Sequence, residues 1–377
     1  MAEKYRVGVI GFAHMHVNEL MRRFAELPNV EWGACADTVP TRPELAEGPS
    51  TRAWNLQNAQ EKIGIPKVFD DYREMLEKES FDIVIFCPEN SRHGEVAAAI
   101  AASGAHMLTE KPMAATLPEA TAMHRAAQGA GVELFVNWPS TWSPAVRKAK
   151  QLLDEGAIGE LWEVKWRAGS LGPLSHGATH VGTDGVARPL TDVEKGSTWW
   201  HHDADGGGVL LDYCCYGACL ARWYVGEQAQ AAFGLRANFK TQFGDADDNA
   251  VITVRFPRAM AILEATWSCV DHGVPTGPIL YGDAGTMVVE HRGDESVVKL
   301  IRGVGAEPEY ISGDPLPAGR ATLAEEIMHH LETGEPIHET MEAGFNLEAQ
   351  AILDAGIRSA RTGKLELVYG PGWVVGE

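Results

Sequence analysis

Asp212 and Tyr216 lie four residues apart in "GVLLDYCCYGACLARWYVG", a stretch whose apolar spacing predicts a helix. Residues four apart share one helix face, so the carboxylate and the phenol are expected to point the same way. Oxidising an alcohol removes hydride from carbon and a proton from oxygen, and a phenol can take that proton. Tyrosine titrates near ~10, so this chemistry at neutral pH requires a nearby cation. Lys111 in "TEKPMA" is the candidate.

Two regions of different pattern must position these three residues. Up to residue 137, apolar strands alternate with helices, which predicts a doubly wound parallel sheet. Between 228 and 302, period-two stretches separated by turns predict an antiparallel meander. We therefore expect one domain at 1–137 and a second, α+β domain at 138–377, with the final helix packing back towards the first.

The opening loop, in "RVGVIGFAHMHVNEL", has the setting of a pyrophosphate site, because a strand ends at Gly11 and a helix follows. Ala13 and His16 stand where the G-x-G-x-x-G pattern has its second and third glycines. The free N–H groups of the helix N-terminus remain available to an anion whatever these side chains are. We interpret the loop as a pyrophosphate site.

The second strand ends at Asp37, where a carboxylate can accept hydrogen bonds from an adenosine ribose. Thr38 follows this acid where an NADP site often has arginine, so the sequence favours NAD over NADP. Arg42 is close enough in sequence to reach a 2′-phosphate, which keeps NADP possible.

A histidine metal site is the other interpretation of the opening loop. His14 and His16, two residues apart at a helix start, are expected to point in different directions. No nearby Cys or Glu completes a ligand set, so we expect no metal ion.

Several segments resemble the Gfo/Idh/MocA oxidoreductases nearly from end to end. They are "VGVIGFAHMH", "CPENSRHGEVAAAIAASGAHMLTEKPMA", "DGGGVLLDYCCYGACLARW", "GELWEVKW" and "TGEPIHETMEAGFNLEAQAILDAGIRSARTGKLELV". The resemblance implies an NAD(P)-binding Rossmann domain followed by a substrate-binding and oligomerisation domain with a large, open-faced, mostly antiparallel sheet. It also implies a homo-oligomer, a dimer or tetramer, built through that sheet.

The family commonly has histidine where Tyr216 stands, and tyrosine there resembles the glucose–fructose oxidoreductase and dihydrodiol dehydrogenase branches. The resemblance implies that Tyr216 is the acid/base, Lys111 its electrostatic partner and substrate clamp, and Asp212 a hydroxyl-orienting group. The alternatives are a tyrosine that packs on a helix and an aspartate in a structural ion pair.

Position and resemblance together indicate which residues contact the cofactor, and the resemblance suggests a cis Lys111–Pro112 bond. The expected contacts are Gly11, Phe12, Ala13, His14, Met15 and His16 at the pyrophosphate, Asp37 at the adenosine ribose, Pro88, Asn90 and His93 near the nicotinamide ribose, Glu110, Lys111 and Pro112 at the nicotinamide, and Asn137 and Trp138 at the end of the last strand.

Substrate determinants are expected in the loops before the catalytic helix. Trp199 and Trp200 in "STWWHHDADGGG" could stack on a sugar ring, with His201 or His202 binding hydroxyls. His176 and His180 are similar candidates in "GSLGPLSHGATHVGTDG". Packing or a subunit contact explains these loops equally well.

Composition excludes several partners. The formal charge of −20 argues against nucleic acid, which requires a basic patch. The longest apolar runs are strand-sized, well short of the roughly 20 residues of a membrane-spanning helix. The charged N-terminus leaves no room for a signal peptide, and the six cysteines without regular spacing indicate buried thiols. We expect a cytoplasmic protein.

Three functions are compatible with these residues. The leading hypothesis is an NAD(P)-dependent oxidoreductase acting on a secondary alcohol or ketone of a sugar, sugar acid, cyclitol or glycoside. The alternative is a redox-neutral glycosidase or lyase that oxidises a sugar carbon transiently with tightly bound NAD. The third is a non-catalytic cofactor-binding or sensory protein, against which the presence of Lys111, Asp212 and Tyr216 argues.

Overall fold

The structure is a computed structural model that describes residues 4–271 and 273–368, so the end of the predicted second domain, 369–377, lies outside the described residues. The first part of the chain alternates strands and helices. Its elements are β1 Tyr5–Phe12, α1 Val17–Ala25, β2 Val30–Ala36, α2 Arg52–Asn58, β3 Val68–Phe69, α3 Tyr72–Lys78, β4 Ile83–Cys87, α4 His93–Ser103, β5 His106–Thr109, α5 Leu117–Ala130 and β6 Leu134–Val136.

These six strands form one parallel sheet in the order β3-β2-β1-β4-β5-β6. Every residue of β4 is buried, as its unbroken apolar sequence requires for a strand covered on both faces. The strand order reverses between β1 and β4, and open α/β sheets bind ligands at the carboxyl ends of such strands. The opening loop, which follows β1, therefore lies at the expected ligand crevice.

The rest of the chain forms a larger sheet with helices. Its elements are α6 Pro144–Asp154, β7 Leu161–Gly169, α7 Asp192–Gly196, α8 Cys215–Val225, β8 Ala231–Ala237, β9 Asn249–Arg255, β10 Met260–Thr266, β11 Ile279–Gly282, β12 Thr286–Arg292, β13 Glu295–Ile301, β14 Glu309–Ser312, α9 Leu323–Thr333, α10 Ala343–Thr362 and β15 Glu366–Leu367. The nine strands run in the order β14-β13-β12-β11-β7-β10-β9-β8-β15.

All neighbours in this sheet are antiparallel except β7 and β10, so the predicted fold class, a Rossmann sheet plus a mostly antiparallel sheet, is confirmed. The meander prediction needs one correction, because β7 lies between β10 and β11 and splits the series into two. A period-two pattern describes each strand locally and cannot show that a strand from far earlier in the chain is inserted.

The segment that carries the candidate catalytic residues also differs from prediction. The expected single helix begins with a π-helical turn, Leu210–Cys214, before α8. Asp247 holds this start, because its carboxylate accepts the N–H of Leu210 at 2.8 Å and its carbonyl accepts the N–H of Val209 at 2.9 Å. The four-residue spacing rule therefore does not describe this turn, and π turns are frequent at functional sites.

The C-terminal helix packs against the first part of the chain. α10 contacts α5 and β6, and Trp138 donates its indole N–H to Asn346 of α10 at 2.6 Å. Within the described residues, no helix combines the length and the apolar character needed to cross a lipid bilayer.

Candidate active site

The turn after β1 brings two chain segments into contact. Gly11 has φ +81°, and a Cβ added there would lie 2.6 Å from the backbone nitrogen of Pro88. A side chain is therefore excluded on two grounds, the left-handed backbone and the approach of the segment after β4. The side chains of Phe12 and Met15 are buried in the core, so any contact they make with a cofactor is through their backbone.

His14 and His16 correct one premise of the sequence analysis. Their rings do not diverge, because the ring centroids lie 4.5 Å apart. Glu110 joins them, with an oxygen 3.1 Å from Nδ1 of His16, and the three residues form a group that could hold a metal ion. Glu110 was expected at the nicotinamide, but its contact with His16 was missed because the two residues are 94 positions apart in the chain.

Glu110 and His14 already have other bonds in this group. The two Glu110 oxygens accept from Nδ2 of Asn137 at 2.6 Å and from the N–H of Lys111 at 3.2 Å. Nδ1 of His14 accepts from the N–H of His16 at 3.2 Å, which assigns the proton of the neutral ring to Nε2. Burial, followed by the charges of His16 and Lys111, holds the pKa of His14 well below its usual value. These bonds favour a preorganised polar cluster, and the absence of a metal stays a prediction.

The expected ribose site is built around Asp37. Its Oδ1 accepts from the N–H groups of Phe12 at 2.9 Å and Thr38 at 2.8 Å, and from Nη1 of Arg52 at 2.6 Å. All three bonds converge on Oδ1, which leaves Oδ2 as the acceptor available to a ribose diol. Burial raises the pKa of Asp37, while Arg52 opposes that shift.

The arginine at this site is not the one that the sequence indicated. Arg42 forms an ion pair with Asp205 at 2.9 Å. Arg52, the first residue of α2, instead contacts Asp37 and Glu89. This contact was not predicted from the sequence, because an arginine is usually a solvated charge and Glu89 is 37 residues away from Arg52 in the chain.

Lys111 and Asp212 form the centre of the candidate catalytic cluster. The Lys111 ammonium donates to Oδ1 of Asp212 at 2.6 Å and to its backbone carbonyl at 2.9 Å. The other carboxylate oxygen of Asp212 accepts the indole N–H of Trp267 at 3.3 Å, a contact that the sequence did not indicate. Lys111 is 1% exposed, and the bond to Pro112 is cis, as the resemblance suggested.

Tyr216 meets Lys111 through its ring. The ammonium lies 4.7 Å from the ring centroid, at cation–π distance. Trp166 stacks on the ring at 5.7 Å and Trp138 meets it edge-on at 5.7 Å. The indole of Trp138 thus packs between Tyr216 and α10, which gives this predicted cofactor residue a structural role as well.

The electrostatics correct the expectation that Lys111 makes Tyr216 a base at neutral pH. Burial raises the pKa of Tyr216, and the charge of Lys111 offsets this only in part. Burial also acts to lower the pKa of Lys111, but Asp212 and Tyr216 together hold it well above its usual value. At neutral pH the cluster therefore contains a charged lysine and a protonated phenol.

Several buried polar atoms without a hydrogen-bond partner lie at the carboxyl edge of the parallel sheet. Among the described residues no hydrogen bond reaches Nε2 of His14, Oε2 of Glu89, Oδ1 of Asn90 or Oδ1 of Asn137. Buried polar groups are nearly always bonded, so such atoms require a ligand or water. Three of the four belong to residues predicted to contact the cofactor, and the donor and acceptor set suits a dinucleotide. His93 adds a neutral imidazole, because burial lowers its pKa to about 4.

The two predicted stacking tryptophans are buried. Trp199 and Trp200 stack on each other at 4.0 Å and are 5% and 4% exposed. Trp199 donates its indole N–H to the carbonyl of Ala13 at 3.0 Å, and Trp200 packs edge-on against His14 at 4.8 Å. The pair supports the opening loop and offers no open face to a sugar ring, because both indoles are buried.

The four histidines considered for substrate contacts occupy different positions, and His202 donates from Nε2 to the carbonyl of Gly196 at 2.7 Å. His201 is buried between Phe243 and Trp267, and burial lowers its pKa to about 3. His176 is exposed and lines a cavity of about 560 Å³ that His201 and Trp267 also line. His180 instead reaches the cluster: its ring lies 5.8 Å from that of His16, and Nε2 donates to the carbonyl of Pro173 at 3.2 Å. Its other nitrogen is therefore an acceptor.

Comparison with known families matches both parts of the chain. Residues 5–138 match the model described as "Oxidoreductase family, NAD-binding Rossmann fold", and residues 146–288 match the "GFO/IDH/MocA C-terminal domain". Levoglucosan dehydrogenase of Pseudarthrobacter phenanthrenivorans is 30% identical over 60% of this chain. The match spans about half of that relative, 52% of its length.

Two further similarities extend the comparison. Myo-inositol 2-dehydrogenase of Thermotoga maritima is 23% identical over 66% of this chain and 68% of its own length. The crystal structure of aldose–aldose oxidoreductase from Caulobacter crescentus superposes with a TM-score of 0.75, covering 97% of this chain and 100% of that one at 21% identity. At that identity the superposition establishes the fold alone.

Proposed function

The chain belongs to the Gfo/Idh/MocA oxidoreductase family, and from this premise we propose that it transfers a hydride between NAD and a secondary alcohol or ketone of a sugar or cyclitol. The single observation that carries the proposal is the contact of buried Lys111 with both Asp212 and the ring of Tyr216. This cluster adjoins the unpartnered polar atoms at the carboxyl edge of the parallel sheet.

The cofactor would be held by residues from three strand ends. Oδ2 of Asp37 is free to accept from the adenosine ribose, and Asn90 and Asn137 have free amide oxygens for the nicotinamide end. Bound NAD supplies the hydride acceptor. The imidazoles of His14 and His93 are neutral because burial lowers the pKa of each, so they add hydrogen-bonding capacity without charge.

Tyr216 is the proposed proton-transfer group. Its raised pKa makes it a proton donor at neutral pH, which favours ketone reduction, in which the phenol protonates the carbonyl oxygen as hydride reaches carbon. In the oxidative direction the phenolate takes the hydroxyl proton, and this form becomes more abundant as pH rises. Lys111 stabilises the negative oxygen in either direction, and Asp212 fixes the position of Lys111.

The relatives indicate which substrates to try first. Several are named for levoglucosan, inositols, D-xylose or D-apiose, which are neutral polyhydroxy compounds, and one is named for a dTDP-linked sugar. The acceptor nitrogen of His180 beside His16 suits a hydroxyl donor. We propose a neutral sugar or cyclitol, and we propose further that copies of the chain associate through the open face of the large sheet, where Leu235 and Phe239 are exposed.

The test begins with the purified protein. Mass analysis after heat release identifies any retained nucleotide, and the stripped protein is then titrated with NADH and with NADPH. NAD reduction is followed with levoglucosan, myo-inositol, D-xylose and D-apiose, and ketone reduction with the corresponding oxidised sugars. Turnover with at least one compound supports the proposal. Retained NAD with glycoside cleavage and no net NADH would support the redox-neutral alternative, and absence of nucleotide binding would contradict both.

A further inference from the structure

Arg52 sits between two carboxylates beside the expected ribose site. Its Nη1 donates to Oδ1 of Asp37 at 2.6 Å and to the carbonyl of Thr38 at 3.0 Å. Its Nη2 donates to Oε1 of Glu89. Arg52 is 8% exposed, and Glu89, from the segment after β4, is 1% exposed. The planar guanidinium therefore links α2 to the ends of β2 and β4.

The cluster formed by Arg52, Asp37 and Glu89 carries a net negative charge. One guanidinium faces Asp37 and Glu89, and Oε2 of Glu89 has no hydrogen-bond partner among the described residues. A third acid, Glu44, lies close enough to Arg52 to interact with it, and burial raises the pKa of Glu44 to about 7 despite that arginine. An anion entering beside Asp37 meets uncompensated carboxylate charge, although an arginine is present.

The geometry separates two roles that an arginine can have here. Alone beside Asp37, Arg52 would orient that carboxylate and would also attract a 2′-phosphate. With Glu89 on its other side, the positive charge is compensated and only the orienting role remains. The three donors on Oδ1 of Asp37 then hold Oδ2 towards an uncharged ribose diol.

We propose that Glu89 is a coenzyme-specificity residue, which compensates the charge of Arg52 and so makes the adenosine site reject the 2′-phosphate of NADP. This inference rests on the proposed function, because it assumes a dinucleotide in this crevice. It changes the sequence-based argument, in which the lack of an arginine after Asp37 gave the preference for NAD. The arginine is present, and its effect is cancelled by Glu89.

The test measures dissociation constants of NADH and NADPH for the stripped protein by tryptophan fluorescence and calorimetry, without turnover. Glu89→Gln is expected to lower the Kd ratio of NADPH to NADH by about ten- to a hundredfold, because it removes one buried charge near the phosphate. Glu95→Gln is the matched control, since Glu95 lies six residues on, in α4, with a side chain that is 42% exposed. The control should leave the ratio unchanged.

A charge-conserving variant separates electrostatics from packing. Arg52→Met/Glu89→Met removes one positive and one negative charge, so it should shift the ratio much less than Glu89→Gln does. Should Glu89→Gln fail to fold, Glu44→Gln at pH 8 tests the same charge effect on a half-buried loop side chain and should shift the ratio in the same direction. An unchanged ratio with NADH still bound overturns the inference alone. Failure of the wild type to bind either nucleotide overturns the proposed function.

Discussion

Two buried cations lie at the crevice, and their surroundings differ. Lys111 contacts one carboxylate and one backbone carbonyl, both of Asp212, and the face of an aromatic ring. Arg52 contacts two carboxylates and a backbone carbonyl. The guanidinium fork suits several fixed bonds, whereas an ammonium is a compact point charge. The comparison indicates that Arg52 positions groups, while Lys111 retains charge that can act on the phenol and the substrate oxygen.

The largest expected effect follows from Lys111→Met. Removing the ammonium takes away the charge that stabilises the substrate oxygen, so kcat is expected to fall about 10³-fold. The Kd for NADH should change much less than kcat, because Lys111 is only one of the expected contacts at the nicotinamide and the expected ribose contact, Asp37, is unaffected. Steady-state kinetics and fluorescence titration measure both quantities. Lys148→Met, at a half-buried lysine paired with Asp314, is the control, and equal losses of kcat in the two variants would contradict a specific role for the Lys111 charge.

Arg52→Met should act on stability more than on chemistry. It leaves Asp37 and Glu89 without their cation, which is expected to lower the free energy of unfolding by about 3–5 kcal/mol. Chemical denaturation measures this loss, and Arg52→Met/Glu89→Met should recover part of it. A loss below about 1 kcal/mol would mean that the arginine has no positioning role.

The pH dependence of oxidation tests the electrostatics around Lys111. Burial raises the pKa of Tyr216, so below that pKa the phenolate fraction grows with pH. The rate of alcohol oxidation should therefore rise about tenfold per pH unit from pH 7 to 9, while ketone reduction stays nearly flat. A profile that levels off near pH 7 would point to another base, and His180 would be the first residue to examine.

The smallest effect concerns Glu44, beside Arg52. Its pKa is raised to about 7, so this carboxyl is mostly neutral at pH 6 and charged at pH 8. The other charged groups facing it are Asp37, Arg52 and Glu89. The affinity for NADPH relative to NADH should rise about two- to fivefold on going from pH 8 to pH 6. The 2′-phosphate of NADPH also gains a proton near pH ~6. The pH dependence that remains in Glu44→Gln measures this contribution of the phosphate separately.

The parallel sheet could be predicted because its signals are local, whereas the meeting of Lys111 and Asp212, 101 residues apart, was implied by the family resemblance alone. Strand and helix periods repeat within short windows, and the E-K-P and D-x-x-x-Y patterns each occupy a few residues. The contact of Glu110 with His16 and the insertion of β7 between β10 and β11 depend on residues about a hundred apart, which periodicity does not relate.

Other differences arose because residue type alone does not determine surroundings. Trp199 and Trp200 are of a residue type that often stacks on sugar rings, but they are buried against the opening loop. Of two histidines in one loop, His180 reaches the cluster and His176 remains exposed. In the sequence Arg52 cannot be told from a solvated arginine, but the fold places it between Asp37 and Glu89.

The central claim is that Tyr216 transfers the proton, Lys111 stabilises the negative oxygen and Asp212 positions Lys111. The most direct test compares Tyr216→Phe with the wild type and with Tyr281→Phe, a remote tyrosine on β11. Each protein is assayed for NADH affinity and for turnover of the best substrate. We predict that Tyr216→Phe binds NADH with a Kd within about threefold of wild type and loses about 10²- to 10⁴-fold in kcat. A Tyr216→Phe variant that retains wild-type turnover would contradict the account.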